Sequence, residues 1–404
     1  MRKFSIFTII LACLTILIVD ILAFYWLQSI TVLIAYNILK NSINFLFWFF
    51  TIGLVSSIMI LKFNLDKINP KRKQILVSTL YGLTISSLIP KLIFIIIIAS
   101  LYFTNHMFSE KESLIIVPIV GLFSGLLPFF IILYGITKTL YKYKIEHLSI
   151  KLKELPDNFN GLKIVHLSDL HLGSFNYKYE ILDKAIKIIN NLNPDLILFT
   201  GDLVNNYAWE LNGWDKHLKK LSARIGKFAV LGNHDYGDYS TWESTKEKNA
   251  NFESIKHFYT KINFKLLLNE TAVVDIDGEK ISILGVENWG SPPFKQYGKL
   301  KKTMKRTTPD AFKILLSHDP SHWKEEVVKL TNINLTLSGH THGMQAGFIL
   351  KNRKWSPIKY KYKQWAGLYQ ENNQFLYVNR GIGWMGFPGR IGVRPEITCI
   401  ELEN

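Results

Sequence analysis

"LKIVHLSDLHLG", Leu162–Gly173, decides how this chain is read. Leu162–Ser168 is an apolar run of strand length preceded by the turn residues "LPDNFNG" at Leu155–Gly161, and Asp169 and His171 follow it at once. Downstream, Ile181, Ala185, Ile188 and Ile189 recur at the spacing of a helix face within Tyr179–Leu192. Asn193 and Pro194 end that helix, and "DLILFT" at Asp195–Thr200 is the next strand. Strand, helix and strand in this order build a parallel pair.

The same pattern continues along the chain. "KFAVLG" at Lys227–Gly232 is a third strand, and "AVVDIDGEKISILGVE" at Ala272–Glu287 is a hairpin around an Asp-Gly turn. Further strands are expected at Phe312–Ser317, Ile333–Ser338, Gln374–Asn379 and Glu396–Leu402. The expected soluble fold is therefore α/β, or α+β, with two packed β-sheets flanked by helices.

Chemistry collects at the strand ends. After the first strand come Asp169 and His171, after the second Asp202, and after the third Asn233, His234 and Asp235. Two later strands are followed by His318 in "SHDP" and by His340 and His342 in "SGHTHG". The carboxyl ends of strands are where α/β sheets gather ligand-binding loops, so distant segments can meet there. Oxygen and nitrogen donors without a thiolate suit divalent Mn, Fe or Zn, and seven of them match two ions sharing a carboxylate better than one tetrahedral site.

The series D-x-H, G-D, G-N-H-D, H and G-H-x-H resembles the calcineurin-like metallophosphoesterase superfamily over about Leu162–Leu402. The ending "NRGIGWMGFPGRIGVRPEI" at Asn379–Ile397 is similar to a membrane-anchored bacterial branch that includes a UDP-2,3-diacylglucosamine pyrophosphatase of lipid A biosynthesis. The resemblance implies a metallophosphatase fold. It also implies that Asp169, His171 and His342 hold one ion, that Asn233, His318 and His340 hold another, and that Asp202 bridges them. His234 would donate a proton to the leaving group, with Asp235 orienting its ring. Arg380, Arg390 and Arg394 are candidates for binding substrate phosphate through their guanidinium forks, the alternative being that these glycine-rich turns only build the site wall. His106, His147, His166, His217, His257 and His322 match no motif position and are read as structural.

The amino-terminal third reads differently. Four segments are long and apolar enough to cross a bilayer as helices: residues 4–27, 43–61, 75–103 and 113–136. The third carries Pro90 and Lys91, which predicts either a kinked span or an interfacial helix followed by a shorter one. "MRK" and "LAC" at Leu11–Cys13 resemble a cleaved signal, but the apolar run continues past Cys13 and reads as an uncleaved anchor. The expected organisation is a transmembrane region at 1–136, a linker at 137–160 and a phosphoesterase domain at 161–404.

Charge sets the expected orientation. Twelve Lys and Arg residues flank one side of the spans (Arg2, Lys3, Lys62, Lys67, Lys71, Arg72, Lys73, Lys138, Lys142, Lys144, Lys151 and Lys153), against only Lys40 and Lys111 on the other. This asymmetry predicts that both termini and the soluble domain face the cytoplasm, and the resemblance implies a bacterial inner membrane. The net charge of +16 includes these lysines and does not by itself imply nucleic acid. The basic run at Tyr297–Arg306 is a solvated loop or a contact for anionic headgroups. "NWGSPPF" at Asn288–Phe294 is a packed loop or a membrane-facing lip. Two cysteines at opposite ends of the chain exclude a disulfide framework.

The expected function is hydrolysis of a phosphodiester or pyrophosphate, on a phosphorylated or lipid-linked small molecule, at a membrane surface. Soluble nucleotides as substrates and a non-catalytic scaffold are the alternatives. Transport is disfavoured because Asp20 and Lys91 are the only charges well inside the spans.

Overall fold

The computed structural model describes residues 5–65, 67–103, 110–176, 178–290, 292, 295–350 and 353–404. Expectations that fall on Arg2, Lys3, Phe4, His106, Ser291, Pro293 and Phe294 lie outside these residues. The chain divides into two compact units, one of Lys138–Met385 with Arg390–Asn404 and one of Arg2–Thr137 with Gly386–Gly389.

The helical unit contains α1 (Ile6–Thr31), α2 (Asn37–Asn64), α3 (Pro70–Phe103) and α4 (Glu110–Thr137). The side chain of Ser5 caps α1 by accepting the Thr8 N–H at 3.1 Å. Pro70 opens α3, where its missing N–H costs nothing. Pro90 does not divide α3, which runs as one helix of 34 residues. At 1.5 Å per residue that is about 51 Å, longer than the ~30 Å hydrocarbon core. Lys91 turns into the bundle, where its Nζ lies 2.7 Å from Asp20 Oδ1, and the Thr51 hydroxyl donates to the same carboxylate.

The second unit is built on two six-stranded sheets. The first has β1 (Lys144–Lys151), β2 (Lys163–Leu167), β3 (Leu196–Phe199), β4 (Gly226–Ala229) and β5 (Lys265–Leu266). The second has β6 (Glu270–Ile276), β7 (Glu279–Gly285), β8 (Phe312–Leu316) and β9 (Leu335–Ser338). A small ribbon of β10 (Phe348–Leu350) and β11 (Arg353–Trp355) follows, then β12 (Gly367–Glu371) and β13 (Gln374–Val378) in the second sheet and β14 (Glu396–Glu403) in the first. The sheet orders are β1-β14-β2-β3-β4-β5 and β12-β13-β9-β8-β7-β6.

Alternation along the strands separates the layers. Ile164, Leu196 and Leu198 of the first sheet pack with Ile281, Ile283, Ile314, Leu335 and Leu337 of the second. Their neighbours Val165, Ile197 and Phe199 point the other way, onto Leu182, Ala185 and Ile189 of α5 (Tyr179–Asn191). On the far face of the second sheet, Leu284, Leu315 and Leu376 cover Trp323 and Val327. The hairpin turn is as expected: Asp277 and Gly278 both have positive φ, 49° and 89°, which suits a tight connection of this hand. In the basic run, Leu300 and Thr303 are buried while Lys301, Lys302, Lys305 and Arg306 are exposed, so its charges are solvated.

The stretch 137–160, expected as a linker, contains a strand and buried side chains. Lys144–Lys151 is β1, paired in parallel with β14 over its whole length. Ile150, Leu152, Leu155 and Phe159 are all buried in the inter-sheet core. At about 1.5 kcal/mol or more per buried large apolar side chain, these four contribute about 6 kcal/mol or more. A fragment of residues 138–404 should therefore melt cooperatively, whereas one of residues 161–404 should be insoluble or lack a thermal transition. Equal melting temperatures for the two fragments would restore the linker.

Candidate metal centre

Parallel pairing aligns the carboxyl ends of β2, β3 and β4 in one sheet and of β8 and β9 in the other. The loops after these strands are stitched to one another through their backbones. Asp169 N–H donates to the Gly201 carbonyl at 2.9 Å, His171 N–H to the Asp202 carbonyl at 3.1 Å, and Gly339 N–H to the His318 carbonyl at 3.0 Å. Side chains add to this. His340 N–H donates to Asp169 Oδ2 at 3.0 Å, and His234 N–H to Asp202 Oδ1 at 2.9 Å.

The backbone at this point is strained. Asp169, His171, Asp202, His340 and His342 have φ of 52°, 45°, 59°, 73° and 50°, all in the left-handed region. For residues other than glycine this costs on the order of 1–3 kcal/mol each and persists where surrounding structure enforces it. Gly339 explains part of the crowding, because a Cβ there would strike Ser168 Oγ and Asp169 Oδ2.

All seven expected donors converge. In one group, His342 Nε2 lies 3.1 Å from both His171 Nε2 and Asp169 Oδ1, and His171 Nε2 lies 3.5 Å from Asp202 Oδ2. In the other, His318 Nε2 is 3.2 Å from Asp202 Oδ2 and 3.1 Å from Asn233 Oδ1, and His340 Nδ1 is 2.8 Å from that same Asn233 oxygen. The donor atoms of Asp169, His171, Asp202 and His342 lie within 4.8 Å of one another, as do those of Asp202, His318 and His340. His318 Nδ1 donates to the Thr200 carbonyl at 2.7 Å, which leaves Nε2 as the inward donor. Neutral and anionic donors facing one another this closely, with almost no solvent exposure, fit divalent cations of borderline softness.

The electrostatics agree with a cation-binding pocket. Burial raises the Asp202 carboxyl, but the imidazoles of His318, His234 and His171 outweigh it and hold Asp202 well below the usual carboxylate range. Burial pushes His171 down to about 3 against the pull of Asp202. His318 is pushed up to about 10: burial opposes this, and Asp202 overcomes it.

His234 sits beside the centre with its ring centroid 5.1 Å from that of His171. Its orientation does not come from Asp235. His234 Nδ1 donates to the Asn205 carbonyl at 2.7 Å, and Asn205 N–H is anchored on Glu210 at 2.6 Å. Asp235 is fully buried and accepts backbone N–H groups from Gly232, Asp202, Leu203 and Val204 at 2.8–3.2 Å. Its carboxylate thus binds the loop after β4 to the loop after β3.

The arginines that are candidates for substrate contact all have partners within the protein. Arg380 is 3% exposed and its fork is paired with Glu396 and with Glu146 of β1. Arg390 is fully buried and donates to the carbonyls of Arg380, Gly381 and Gly383, with Nη2 3.4 Å from His342 Nδ1. Arg394 donates to the carbonyls of Lys142 and Tyr143 at 2.9 and 2.7 Å. These side chains build the wall behind the centre. Three of the unassigned histidines pair locally: His166 with Thr200, His217 with Asp183 and His322 with Ser317. The residues that sequence reasoning missed are Asn205, Glu210, Tyr239 and Tyr362. Tyr239 Oη accepts from Asn233 Nδ2 at 2.9 Å, and Tyr362 Oη lies 2.8 Å from His340 Nε2.

Residues 162–344 match the family described as calcineurin-like phosphoesterase, and residues 2–140 match one described as probable calcineurin-like phosphoesterase, transmembrane domain. The chain is 34% identical over 284 residues to the "Uncharacterized metallophosphoesterase YkuE" of Bacillus subtilis, covering 67% of this chain and 90% of that protein. This chain belongs to the calcineurin-like metallophosphoesterases.

The phosphoesterase is also 28% and 32% identical to proteins named "Transmembrane protein with metallophosphoesterase domain" from Danio rerio and Bos taurus, matching 67% and 64% of this chain. It spans 60% and 57% of those two relatives. It is a membrane protein with, among the described residues, four helices long and apolar enough to span, joined to a metal-dependent phosphoesterase domain with two multi-stranded sheets.

Glu210 supplies a pH test that is independent of the metal donors. Burial pushes it up to about 7, against the pull of the N–H groups of Asn205, Tyr207 and Asn206, from an ordinary value of 4.5. A raised folded-state pKa means that its stabilisation is fully present below pH 4.5 and is lost as pH rises through 7. The shift corresponds to on the order of 3 kcal/mol. Thermal melting of the full-length protein in detergent should show the wild type losing stability relative to Glu210→Gln between pH 5 and pH 8. Parallel pH profiles for the two proteins would contradict this.

Proposed function

We propose that the phosphoesterase hydrolyses a phosphodiester or pyrophosphate bond with the help of two divalent ions, which Asp202 would share. One subsite is Asp169, His171 and His342, and the other is Asn233, His318 and His340. What supports the reading is the position of Asp202, whose Oδ2 is 3.5 Å from His171 Nε2 in one group and 3.2 Å from His318 Nε2 in the other. Mn, Fe or Zn bound there would neutralise phosphate charge and lower the pKa of water towards neutrality.

The chain's own residues do the rest. His234 keeps its Nδ1 proton on the Asn205 carbonyl, so Nε2 is the atom that exchanges a proton with the leaving oxygen. Burial lowers the His234 pKa and Asp202 partly restores it. An arriving phosphate adds negative charge and favours the imidazolium, which readies it as a general acid. Asp235 contributes by holding the loops that carry Asp202 and Asn233 in register.

The substrate is a lipid-linked phosphate compound, and a UDP-diacylglucosamine is one member of that class. Four apolar helices support this, since they confine the domain to a surface where such molecules concentrate. The charge asymmetry around the helices supports a cytoplasmic site at a bacterial inner membrane. No nucleic-acid partner is proposed.

Purified full-length protein with Mn²⁺ should cleave bis-p-nitrophenyl phosphate, and Asp202→Asn should reduce turnover to background. His234→Ala should cost about 10²- to 10⁴-fold on esters with poor leaving groups and less on p-nitrophenyl esters, which need little acid assistance. Unchanged turnover in Asp202→Asn would refute the centre. A reporter fused after Asn404 tests the orientation: it should fluoresce as a cytoplasmic green fluorescent protein fusion and be inactive as an alkaline phosphatase fusion.

A further inference from the structure

Asn233 and the histidines of both subsites can each turn either a proton or a lone pair inward, so an outer partner must set which. Asn233 offers an oxygen or an NH₂ group from the same amide, and His340 can hold its proton on either ring nitrogen. An amide flip or a tautomer change would turn a donor proton toward the cation, and binding there would be lost. Both belong to the same subsite. The third residue of that subsite, His318, is fixed by the Thr200 carbonyl 2.7 Å from its Nδ1.

Asn233 and His340 each face a phenol on the outer side. Asn233 Nδ2 donates to Tyr239 Oη at 2.9 Å, which directs Oδ1 inward to within 2.8 Å of His340 Nδ1. His340 Nε2 lies 2.8 Å from Tyr362 Oη. With Nε2–H donating to that oxygen, Nδ1 keeps its lone pair on the inward side. We propose that Tyr239 and Tyr362 are positioning residues for the Asn233, His318 and His340 subsite, holding one amide orientation and one tautomer so that the subsite is preorganised for a divalent cation. This rests on the binuclear reading above.

The placement of Tyr362 shows how the fold delivers it. It follows the β10–β11 ribbon, beyond the residues matched to the phosphoesterase family, and is buried with Trp365 and Ala366 against Ile349 and Ile358. The same segment grips the loop it serves. The Thr341 hydroxyl donates to the Trp365 carbonyl at 2.7 Å, and the Ser356 hydroxyl to the Gly343 carbonyl at 2.8 Å. Tyr239 is held from the other side, its ring centroid 4.6 Å from that of His234. In the Asp169, His171 and His342 subsite the outer atoms differ: His171 Nδ1 is buried with no hydrogen-bond partner among the described residues, and His342 Nδ1 lies 3.4 Å from Arg390 Nη2.

Phenylalanine keeps the ring packing and removes only the oxygen, so Tyr239→Phe and Tyr362→Phe separate positioning from folding. The test is calorimetric titration of metal-free full-length protein in detergent with Mn²⁺ alone, with the step lost in His318→Ala marking the subsite. Loss of an outer partner of this kind weakens affinity about 10- to 100-fold. Each single variant should weaken that one step by this factor, leave the other step unchanged and leave the melting temperature of the metal-free protein unchanged. Two wild-type steps in both variants would overturn the assignment, as would equal weakening of both steps or a lowered metal-free melting temperature, either of which marks a structural role. If wild-type protein binds no Mn²⁺, the binuclear reading itself falls and the assignment with it.

Discussion

A single carboxylate, that of Asp202, faces imidazoles on two sides while its own backbone is held at φ 59°. Neither condition is stable alone. A buried carboxylate is costly without compensating charge, and a left-handed aspartate is costly without outside restraint. Asp235 supplies the restraint. It accepts the backbone N–H groups of Asp202, Leu203 and Val204 with one carboxylate and ties them to Gly232 at the end of the next strand. Divalent cations held by these donors would supply the compensating charge.

This explains why the centre lies where it does in the fold. Strands β2, β3 and β4 are parallel, so their following loops leave the sheet on the same edge and can share backbone hydrogen bonds. The second sheet presents the ends of β8 and β9 in the same sense. An inter-sheet core of branched aliphatic side chains fixes the spacing between the two edges. The donors inherit their precision from sheets, while the strain is confined to the few residues that have just left them.

Much of this was legible in the sequence because metal-binding chemistry restricts residue type. Asp169, His171, Asp202, Asn233, His318, His340 and His342 could be picked out since each follows an apolar run and few other side chains could replace them. The features that escaped detection depend on groups without a sequence signature. His234 is oriented by the carbonyl of Asn205, and every residue has a carbonyl. Tyr362 reaches His340 through a ribbon and a turn rather than by periodic spacing. β1 is an edge strand bounded by Lys144 and Lys151, and lysines beside an apolar span signal membrane topology as readily as strand pairing. Arg380 and Arg390 stand in a glycine-rich segment near the site, but only the fold shows that Glu396, Glu146 and a row of carbonyls occupy their forks.

The helical unit poses the same problem in a harsher solvent. A charge in hydrocarbon is tolerated when it is paired and turned to the bundle interior. Asp20 on α1, Thr51 on α2 and Lys91 on α3 meet this condition together, with the Lys91 ammonium also 4.5 Å from the centre of the Phe47 ring. Removing one member would leave the other charge uncompensated, which is more disruptive than never having had the pair. A fully satisfied pair also has little left to offer a transported ion. The polar residues of this bundle are therefore better understood as fixing which faces of three helices meet, a specification that nearly uniform apolar surfaces cannot provide by themselves.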